Sequence, residues 1–340
     1  MLVLTLESTC DETAAAVICS DRGVLGSVVA SQEELHQKFN GVVPEIAARA
    51  HLERILPVIH ETLDQAQVRL EDLSGIGVAT TPGLAGSLLV GLVAAKTLCW
   101  LHDIPLVSIN HLHAHIYACQ LDREKSIFPC VGFIVSGGHS HLYKCSDPFT
   151  YDYLGGTIDD AAGECFDKVA SMLDLPYPGG PALSRLAETG NPKAHRFPRP
   201  LLNESRLAFS FSGLKTAVRY FLVGPGQQTV SSSHLSLPER ADLAASFEMA
   251  VVECLVGKAI QAIRVAEVSR ICVGGGVAAN SLFRRQLTAA CDAQGFECLI
   301  AAPELCTDNA VMGAIALERL KAGLTESLDL DVRPGLVRNT

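Results

Sequence analysis

Hydrophobic and polar positions along the first 110 residues alternate in a pattern typical of strands and helices. Three short apolar runs, LVLTLE (2–7), AAAVIC (14–19) and VLGSVVA (24–30), predict successive strands. GIGVAT (75–80) and PLVSIN (105–110) have the composition of buried parallel strands, and each follows a helical pattern, near 44–68 and 85–102. This alternation predicts an α/β fold.

The opening pattern recurs near residue 130. CVGFIVSGGHSHLYKC repeats the strand, polar turn and returning strand of LVLTLESTCDETAAAVICS, which suggests two duplicated lobes on pattern alone. We interpret the polar segment 223–238 as a mobile surface loop and expect the tail after 321 to pack on the first lobe. Further helices are predicted near 160–173, 212–222, 238–267, 279–292 and 308–320, and strands at 270–276 and 297–302.

Composition narrows the class of protein. Hydrophobic residues make up 48% and charged residues 19% of the 340, which excludes a disordered chain, and with 6% aromatics the core must be aliphatic. The net charge of −10 argues against a protein that coats nucleic acid, so any such site must be a local basic patch. The 12 cysteines form no C-x-x-C pair and suit reduced cytosolic thiols. The apolar stretch Gly83–Ala95 ends at Lys96, short of the ~20 residues of a membrane span. We therefore expect a cytoplasmic protein with no membrane partner.

The segment NHLHAHIYA (110–118) carries a candidate metal site. On a helix, His111 and His115 are four residues apart and project from one face, which can chelate a metal ion. The alternative is two ordinary histidines near a helix start. No Glu follows His111, so this is not the H-E-x-x-H helix of zinc proteases. In CTDNAVMGA, Asp308 either caps a helix or completes a two-His, one-carboxylate set, which suits iron(II).

Three turns are candidate ligand sites. SGGHSH (136–141) could form a backbone nest for phosphate or carboxylate, or be a plain hairpin turn. ESTCDET (7–13) places Asp11 and Glu12 where they could face a cation, an amine or a metal-bound phosphate, unless it is a hairpin with an Asx turn. GGGVAANSLFR (274–284) puts Asn280 in the first turn of a helix, where a nucleoside or phosphate could bind, although a plain strand-to-helix turn fits equally. It is not G-x-G-x-x-G, which argues against an NAD site.

Two further segments have open interpretations. Asp167 and Lys168 in DDAAGECFDKVA, with the PGGP turn at 178–181, either contact a bound ribose or serve as a surface pair and a tight turn. Basic and aromatic residues interleave over 195–220, as a local RNA contact requires, although a solvated charged face is the alternative. The residues of this segment are Arg196, Arg199, Arg206, Lys215 and Arg219, with Phe197, Phe209, Phe211 and Tyr220.

Taken together, these motifs resemble the tRNA adenosine threonylcarbamoyltransferase family from residue 1 to about 320, and NGVVPEIAARAH is similar to its bacterial branch. The resemblance implies the fold of actin, sugar kinases and heat-shock ATPases (ASKHA), with two RNase-H-like lobes around a central cleft. The expected lobes are 1–125 and 126–325, followed by a tail, 326–340. The motifs are ESTCDET, NGVVPEIAARAH, TTPGLAGSLLVG, NHLHAHIYA, VSGGHSHLY, DDAAGECFDKVA, YPGGP, FSFSGLKTA, GGGVAANS and CTDNAVMGA.

The resemblance also implies site residues. One divalent metal per subunit, iron(II) in first place and zinc as the alternative, would be held by His111, His115 and Asp308. Ser184 stands where some relatives have an acidic ribose contact. The family's substrate-binding positions fall on Val135, Ser136, Gly137, Gly138, His139, Asp167, Gly180 and Asn280.

The implied activity is transfer of a threonylcarbamoyl group from threonylcarbamoyl-adenylate to the exocyclic amine of the adenosine just 3′ of the anticodon, with release of AMP. The tRNAs are those that read codons beginning with A. Asp11 and Glu12 are the candidates for orienting the amine or relaying its proton. Expected partners are a smaller paralogous protein and a P-loop ATPase. The alternatives are a metallopeptidase, an ATP-dependent kinase or chaperone of the same fold, and a non-catalytic scaffold.

Overall fold

The computed structural model describes residues 1–39, 41–121, 123–223 and 232–335. The chain divides into two units, and the second ends before the expected boundary at 325. After Cys306 the chain returns to the first unit, which places Asp308 in the same unit as His111 and His115. The first unit comprises Met1–Phe128, Ser146–Tyr151 and Thr307–Thr340, and the second comprises Pro129–Cys145 and Asp152–Cys306.

The first unit contains a five-stranded sheet of order β3-β2-β1-β4-β5. β1, β2 and β3 pair antiparallel, whereas β4 is parallel to β1 and to β5. Because β1, β4 and β5 run in the same direction, their carboxyl ends lie at one edge, where Glu7 ends β1 and Asn110 ends β5. These five strands confirm the sequence prediction. They are β1 (Leu2–Glu7), β2 (Glu12–Cys19), β3 (Gly23–Ser31), β4 (Gly75–Thr81) and β5 (Leu106–Asn110).

The second unit contains a six-stranded sheet of order β11-β10-β6-β7-β8-β9. The β6–β7 hairpin repeats the β1–β2 hairpin, as the sequence pattern predicted, and β10 is parallel to β6 and to β11. Read as β8-β7-β6-β10-β11, this sheet has the strand order of the first sheet, with β9 added at its edge. Its strands are β6 (Cys130–Val135), β7 (Ser140–Cys145), β8 (Tyr151–Thr157), β9 (Ala208–Phe209), β10 (Arg270–Gly274) and β11 (Glu297–Ile300).

The helices begin and end at recognisable sequence signals. Pro44 opens α2 at its first position, where a missing N–H costs nothing. Ser236 and Glu239 form a capping box at the start of α8. The helices are α1 (Glu33–Gln37), α2 (Pro44–Ala66), α3 (Ala85–His102), α4 (His111–Tyr117), α5 (Ala162–Met172), α6 (Gly179–Ala187), α7 (Ser212–Val223), α8 (Leu237–Ala266), α9 (Ser281–Asp292), α10 (Pro303–Cys306) and α11 (Ile315–Lys321).

The two cores differ in composition. In the first unit, β1, β2 and β4 pack against α2 and α3 through aliphatic side chains such as Leu4, Val17 and Leu92, as predicted. The second unit also buries phenylalanines, and the rings of Phe133 and Phe209 stack at 5.5 Å. The few aromatic residues of the chain are therefore concentrated in the second core.

Helix α3 is longer than the apolar stretch seen in the sequence. It continues past Lys96 to His102, and its 18 residues, with a mean hydropathy of 1.4, are long and apolar enough to cross a membrane by length and composition alone. The length argument against a span is therefore wrong. In the structure α3 packs on α2 and β4 within the first unit.

The tail after 321 packs on the first unit, as expected. Glu326 pairs with Leu106 in an isolated antiparallel bridge, and its Oε1 accepts a hydrogen bond from the Ser108 hydroxyl at 2.6 Å. Of the predicted surface loop 223–238, residues 224–231 lie outside the described residues. The Ser232 hydroxyl donates to Asp174 at 2.6 Å, and α8 begins at Leu237.

Candidate functional site

The histidine pair lies at the carboxyl edge of the first sheet. The Asn110 side chain caps α4 by accepting the N–H of Leu112 at 2.9 Å and of His113 at 3.3 Å, so the helix starts directly at His111. His111 and His115 are one turn apart, and their ring centroids lie 4.7 Å from each other. Both side chains are buried. The sequence prediction that they share one helix face is confirmed.

Asp308 lies against both imidazoles. Its Oδ1 is 3.1 Å from Nε2 of His115 and 3.5 Å from Nε2 of His111, and one ligand atom from each of the three residues lies within 4.8 Å of the others. The segment that carries Asp308 is held to β1, because the Thr5 hydroxyl donates to the Ala310 carbonyl at 2.7 Å. Two imidazoles and a carboxylate at this spacing form a donor set that fits a divalent metal.

Asp308 does not cap a helix, so that interpretation is wrong. The predicted helix 308–320 begins only at Ile315, after a 3₁₀ turn over Val311–Ala314. Asn309 is the residue that supports this turn, because its Oδ1 accepts the N–H of Met312 at 3.1 Å.

Glu7 orients His111 and was missed in the sequence. Its Oε2 lies 3.1 Å from Nδ1 of His111, which leaves Nε2 facing Asp308, and its Oε1 accepts the N–H of Thr9 at 2.7 Å. Burial lowers the pKa of His111, but the charges of Asp308 and Glu7 outweigh it and raise that pKa to about 9. A charged residue at the end of a strand, next to the polar turn, is the signal that could have indicated Glu7.

The acidic turn lies beside Asp308. Asp11 and Glu12 are half-buried at the start of β2. Burial, followed by the charges of Asp308 and Asp11, raises the pKa of Glu12 to about 10. Burial and the same carboxylates raise the pKa of the Cys10 thiol. The structure therefore brings the two predicted catalytic residues close to the candidate metal ligands.

The SGGH turn joins β6 and β7 in the second unit. The Ser136 N–H donates to the His139 carbonyl at 2.7 Å, and the His139 N–H donates to the Ser136 hydroxyl at 3.1 Å. Gly137 and Gly138 are exposed, and a Cβ at either would meet no atom within 4 Å. The backbone of this turn can therefore be approached closely by a ligand.

Two other glycines pack against the same turn. At the start of α5, the Gly163 N–H donates to the Ser136 carbonyl at 3.1 Å, and a Cβ there would lie 2.8 Å from the backbone of Gly137. Gly275 follows β10 with φ of +97°, and a Cβ there would lie 2.5 Å from the Val135 carbonyl oxygen. The predicted SGGH and GGGVAANS segments are thus neighbours in the second unit.

The structure also brings Asp167 and Gly180 together. The Asp167 Oδ1 accepts the N–H of Gly179 at 2.9 Å and of Gly180 at 3.1 Å. The carboxylate thereby satisfies donors at the start of α6. These contacts explain why the DDAAGECFDKVA and YPGGP motifs belong to one piece of structure.

Asn280 is engaged inside the protein. Its Oδ1 accepts the N–H of Phe283 at 2.8 Å and so caps α9, while its Nδ2 donates to Ser184 at 2.9 Å and to Glu248 at 2.7 Å. Both amide hydrogens are therefore used, and a ligand could meet this amide only at Oδ1. Glu248, which is buried in α8, was not found from the sequence.

The basic segment 195–220 differs from its prediction. Phe197, Phe209 and Phe211 are buried, so these three aromatic residues do not contribute to an RNA-contacting surface, whereas Tyr220 is 75% exposed. Three of the cations form ion pairs, namely Arg199 with Glu253, Arg206 with Glu204 and Lys215 with Asp160. Arg196 and Arg219 are exposed and lie outside these pairs.

The duplicated strand order defines the class of protein as ASKHA-like, and solved structures with this fold agree. HypF from T. kodakarensis matches with a TM-score of 0.62 at 16% identity, over 95% of this chain and 48% of that chain. The component A of (R)-2-hydroxyglutaryl-CoA dehydratase from Acidaminococcus fermentans matches with a TM-score of 0.51 at 14% identity, over 95% and 98%. At such identities the likeness shows the fold alone.

The sequence comparisons identify the family. Residues 23–315 match the family model "TsaD: tRNA N6-adenosine threonylcarbamoyltransferase". Proteins named tRNA N6-adenosine threonylcarbamoyltransferase from Rhodopirellula baltica and Geobacter sp. are 59% and 48% identical, over 99% and 98% of this chain and 97% and 96% of their own length. The chain belongs to the tRNA N6-adenosine threonylcarbamoyltransferase family, as the sequence motifs predicted.

Proposed function

We propose that this chain transfers the threonylcarbamoyl group of threonylcarbamoyl-adenylate to the exocyclic amine of the adenosine just 3′ of the anticodon, with release of AMP. The observation that carries the proposal is the family match over nearly the whole chain. The relatives are named as transferases, and nothing in the comparisons favours a peptidase, a kinase or a chaperone.

We propose that His111, His115 and Asp308 hold one divalent metal, iron(II) or zinc. Support comes from two buried imidazoles whose Nε2 atoms face one carboxylate oxygen, and from Glu7, which accepts the other ring N–H of His111. Nδ1 of His115 is buried without a hydrogen-bond partner among the described residues. When bound, the metal would supply Lewis-acid charge toward the donor's oxygens.

Asp11 and Glu12 are assigned to the acceptor amine. An aryl amine is a weak nucleophile, so the protein must orient it and remove its proton as the new C–N bond forms. Burial raises the pKa of Glu12, which favours its protonated form, and in that form Glu12 can donate a hydrogen bond. Asp11 is then the candidate acceptor for the amine proton.

The donor's adenylate is assigned to the second unit. The open backbone of Gly137 and Gly138 suits close contact with a phosphate or carbamoyl oxygen. Asp167 of α5 and Gly180 at the start of α6 are assigned to the ribose, and the Oδ1 of Asn280 to the adenosine. The tRNA must present its adenosine splayed from the anticodon loop.

A paralogous partner is assigned to an apolar stripe on the first unit. On α3, Val93 and Trp100 are exposed one above the other, and Leu52 and Leu56 are exposed on the neighbouring α2. Trp100 is 72% and Leu52 69% exposed, and such a patch marks an interaction surface. A smaller paralogue that offers two similar helices could cover it. We also propose that a P-loop ATPase is a second partner and that the protein acts in the cytoplasm.

The deciding experiment combines elemental analysis with transfer to tRNA from synthetic threonylcarbamoyl-adenylate. We expect one metal per chain in the wild type, and loss of metal and most activity in His111→Ala and Asp308→Ala with unchanged circular dichroism. The matched control is His113→Ala on the same helix, because His113 stacks on Tyr151 at 3.8 Å instead of facing the other histidines. Full metal occupancy in Asp308→Ala would show that the ligands are misassigned.

A further inference from the structure

The motif NGVVPEIAARAH has so far no role in the chemistry, yet it ends in a fully buried histidine. His51 lies in α2 with 0% exposure. Its Nδ1 is 2.8 Å from the Thr13 hydroxyl and its Nε2 is 3.0 Å from the Cys10 carbonyl oxygen. One imidazole from a neighbouring helix therefore contacts the chain on both sides of Asp11 and Glu12.

The two contacts define the tautomer. A carbonyl oxygen can only accept, so Nε2 of His51 carries the hydrogen and donates it to Cys10, while Nδ1 accepts the hydrogen of the Thr13 hydroxyl. Burial lowers the pKa of His51, which favours this neutral form. Protonation would place a second donor on Nδ1, where the Thr13 hydroxyl now donates.

The carbonyls on either side of Cys10 accept hydrogen bonds from backbone N–H groups. The Leu84 N–H donates to the Thr9 carbonyl at 2.8 Å, and the Gln32 N–H donates to the Asp11 carbonyl at 3.0 Å. The Cys10 carbonyl between them is held by the side chain of His51. This bond is therefore one that a single substitution can remove while both backbone anchors stay in place.

We infer that His51 is a positioning residue, which fixes the orientation of Asp11 and Glu12 by holding Cys10 and Thr13. The inference rests on the proposed role of the acidic turn. Because His51 is buried beneath the turn, it acts on the reaction through the two carboxyl groups. The inference predicts that replacing His51 lowers kcat without a matching loss in substrate binding.

The test uses three variants and a matched control in the full-length protein, assayed with its partners. His51→Gln can still donate to the Cys10 carbonyl, because its amide nitrogen reaches the place of Nε2, whereas His51→Asn can satisfy only the Thr13 side and His51→Ala neither. The control is Thr62→Ala, which removes a buried hydroxyl from the same helix. That hydroxyl donates to Val58 at 2.7 Å and to Ala15 at 3.3 Å, away from the turn.

We expect kcat to fall about tenfold or more in His51→Ala and His51→Asn, the scale of a displaced acid–base group. KM values for tRNA and for the adenylate should stay within about twofold, and His51→Gln should recover most of kcat. Amide hydrogen exchange over residues 8–13 should become faster in His51→Ala and stay at the wild-type rate in Thr62→Ala.

Carboxyl variants separate this inference from the proposed role of the turn. If His51 acts through Glu12, adding His51→Ala to Glu12→Ala should cost little further kcat. Equal kcat in His51→Ala and Thr62→Ala, beside a clear loss in Glu12→Ala, would overturn the positioning role and leave the acidic turn standing. Wild-type kcat in both Asp11→Asn and Glu12→Ala would overturn the role of the turn and the positioning inference with it.

Discussion

Replacing Gly163 by alanine should weaken donor binding, because the new methyl group would press on the SGGH turn. The added Cβ would lie 2.8 Å from Cα and N of Gly137 and 2.8 Å from the Ser136 carbonyl oxygen. All three are backbone atoms, so no side-chain rotation relieves the contact and the turn must move away from α5. Forced overpacking of this kind costs ~1–3 kcal/mol. If the cost falls on the bound state, affinity for the adenylate drops about five- to 150-fold.

Calorimetric titration with a non-hydrolysable adenylate analogue measures this effect directly. The control is Gly213→Ala in the first turn of α7, where a Cβ would meet no atom within 4 Å. Its affinity should equal that of the wild type. Wild-type affinity and thermal stability in Gly163→Ala would refute both the packing of α5 on the turn and the assignment of the donor to it.

Three further outcomes are expected. Asn280→Ala should lower the free energy of unfolding by ~1–2 kcal/mol, because α9 loses its cap and buried Glu248 loses a hydrogen-bond donor. Chemical denaturation measures this change, and an unchanged midpoint would contradict the capping role. Replacing both Arg196 and Arg219 by Glu should weaken tRNA binding and reduce the slope of its salt dependence by about one unit per lost phosphate contact. Filter binding at several salt concentrations measures both effects. An unaltered slope would show that the RNA binds elsewhere. Burial raises the pKa of Asp160, but hydrogen bonds from its two lysine partners outweigh this effect and hold that pKa below 3.8. The wild type should therefore be more stable than Asp160→Asn above pH 3.8, and acid unfolding titrations should show this advantage shrinking below that pH. An advantage that grows toward low pH would contradict the ion pairing.

Local patterns were enough to indicate most of the fold. Strand and helix periods depend on neighbouring residues, so the strands of the first sheet, the repeated hairpin and the long helices α2 and α8 could be predicted. The histidine pair was also local, because a spacing of four residues places His111 and His115 on one helix face in any fold. The family followed from motif order, and the comparisons confirmed it.

What the sequence could not decide depends on which distant groups meet. Asp308 is 193 residues from His115, and only the return of the chain to the first unit makes it a partner of the histidines instead of a helix cap. The hydrogen bonds from the Asn280 amide to Ser184 and Glu248 also join residues that are distant in the sequence.

Burial sets the other limit. The interleaved basic and aromatic residues over 195–220 are compatible with an RNA-binding surface and equally with aromatic side chains buried in the core. Only the tertiary packing showed that Phe209 and Phe211 face inward. The same holds for His51, a histidine within a helical pattern whose two hydrogen bonds exist because α2 lies over the acidic turn. Sequence specifies elements through short-range periodicity, whereas the tertiary structure decides which polar atoms share one buried, low-dielectric space and so must pair.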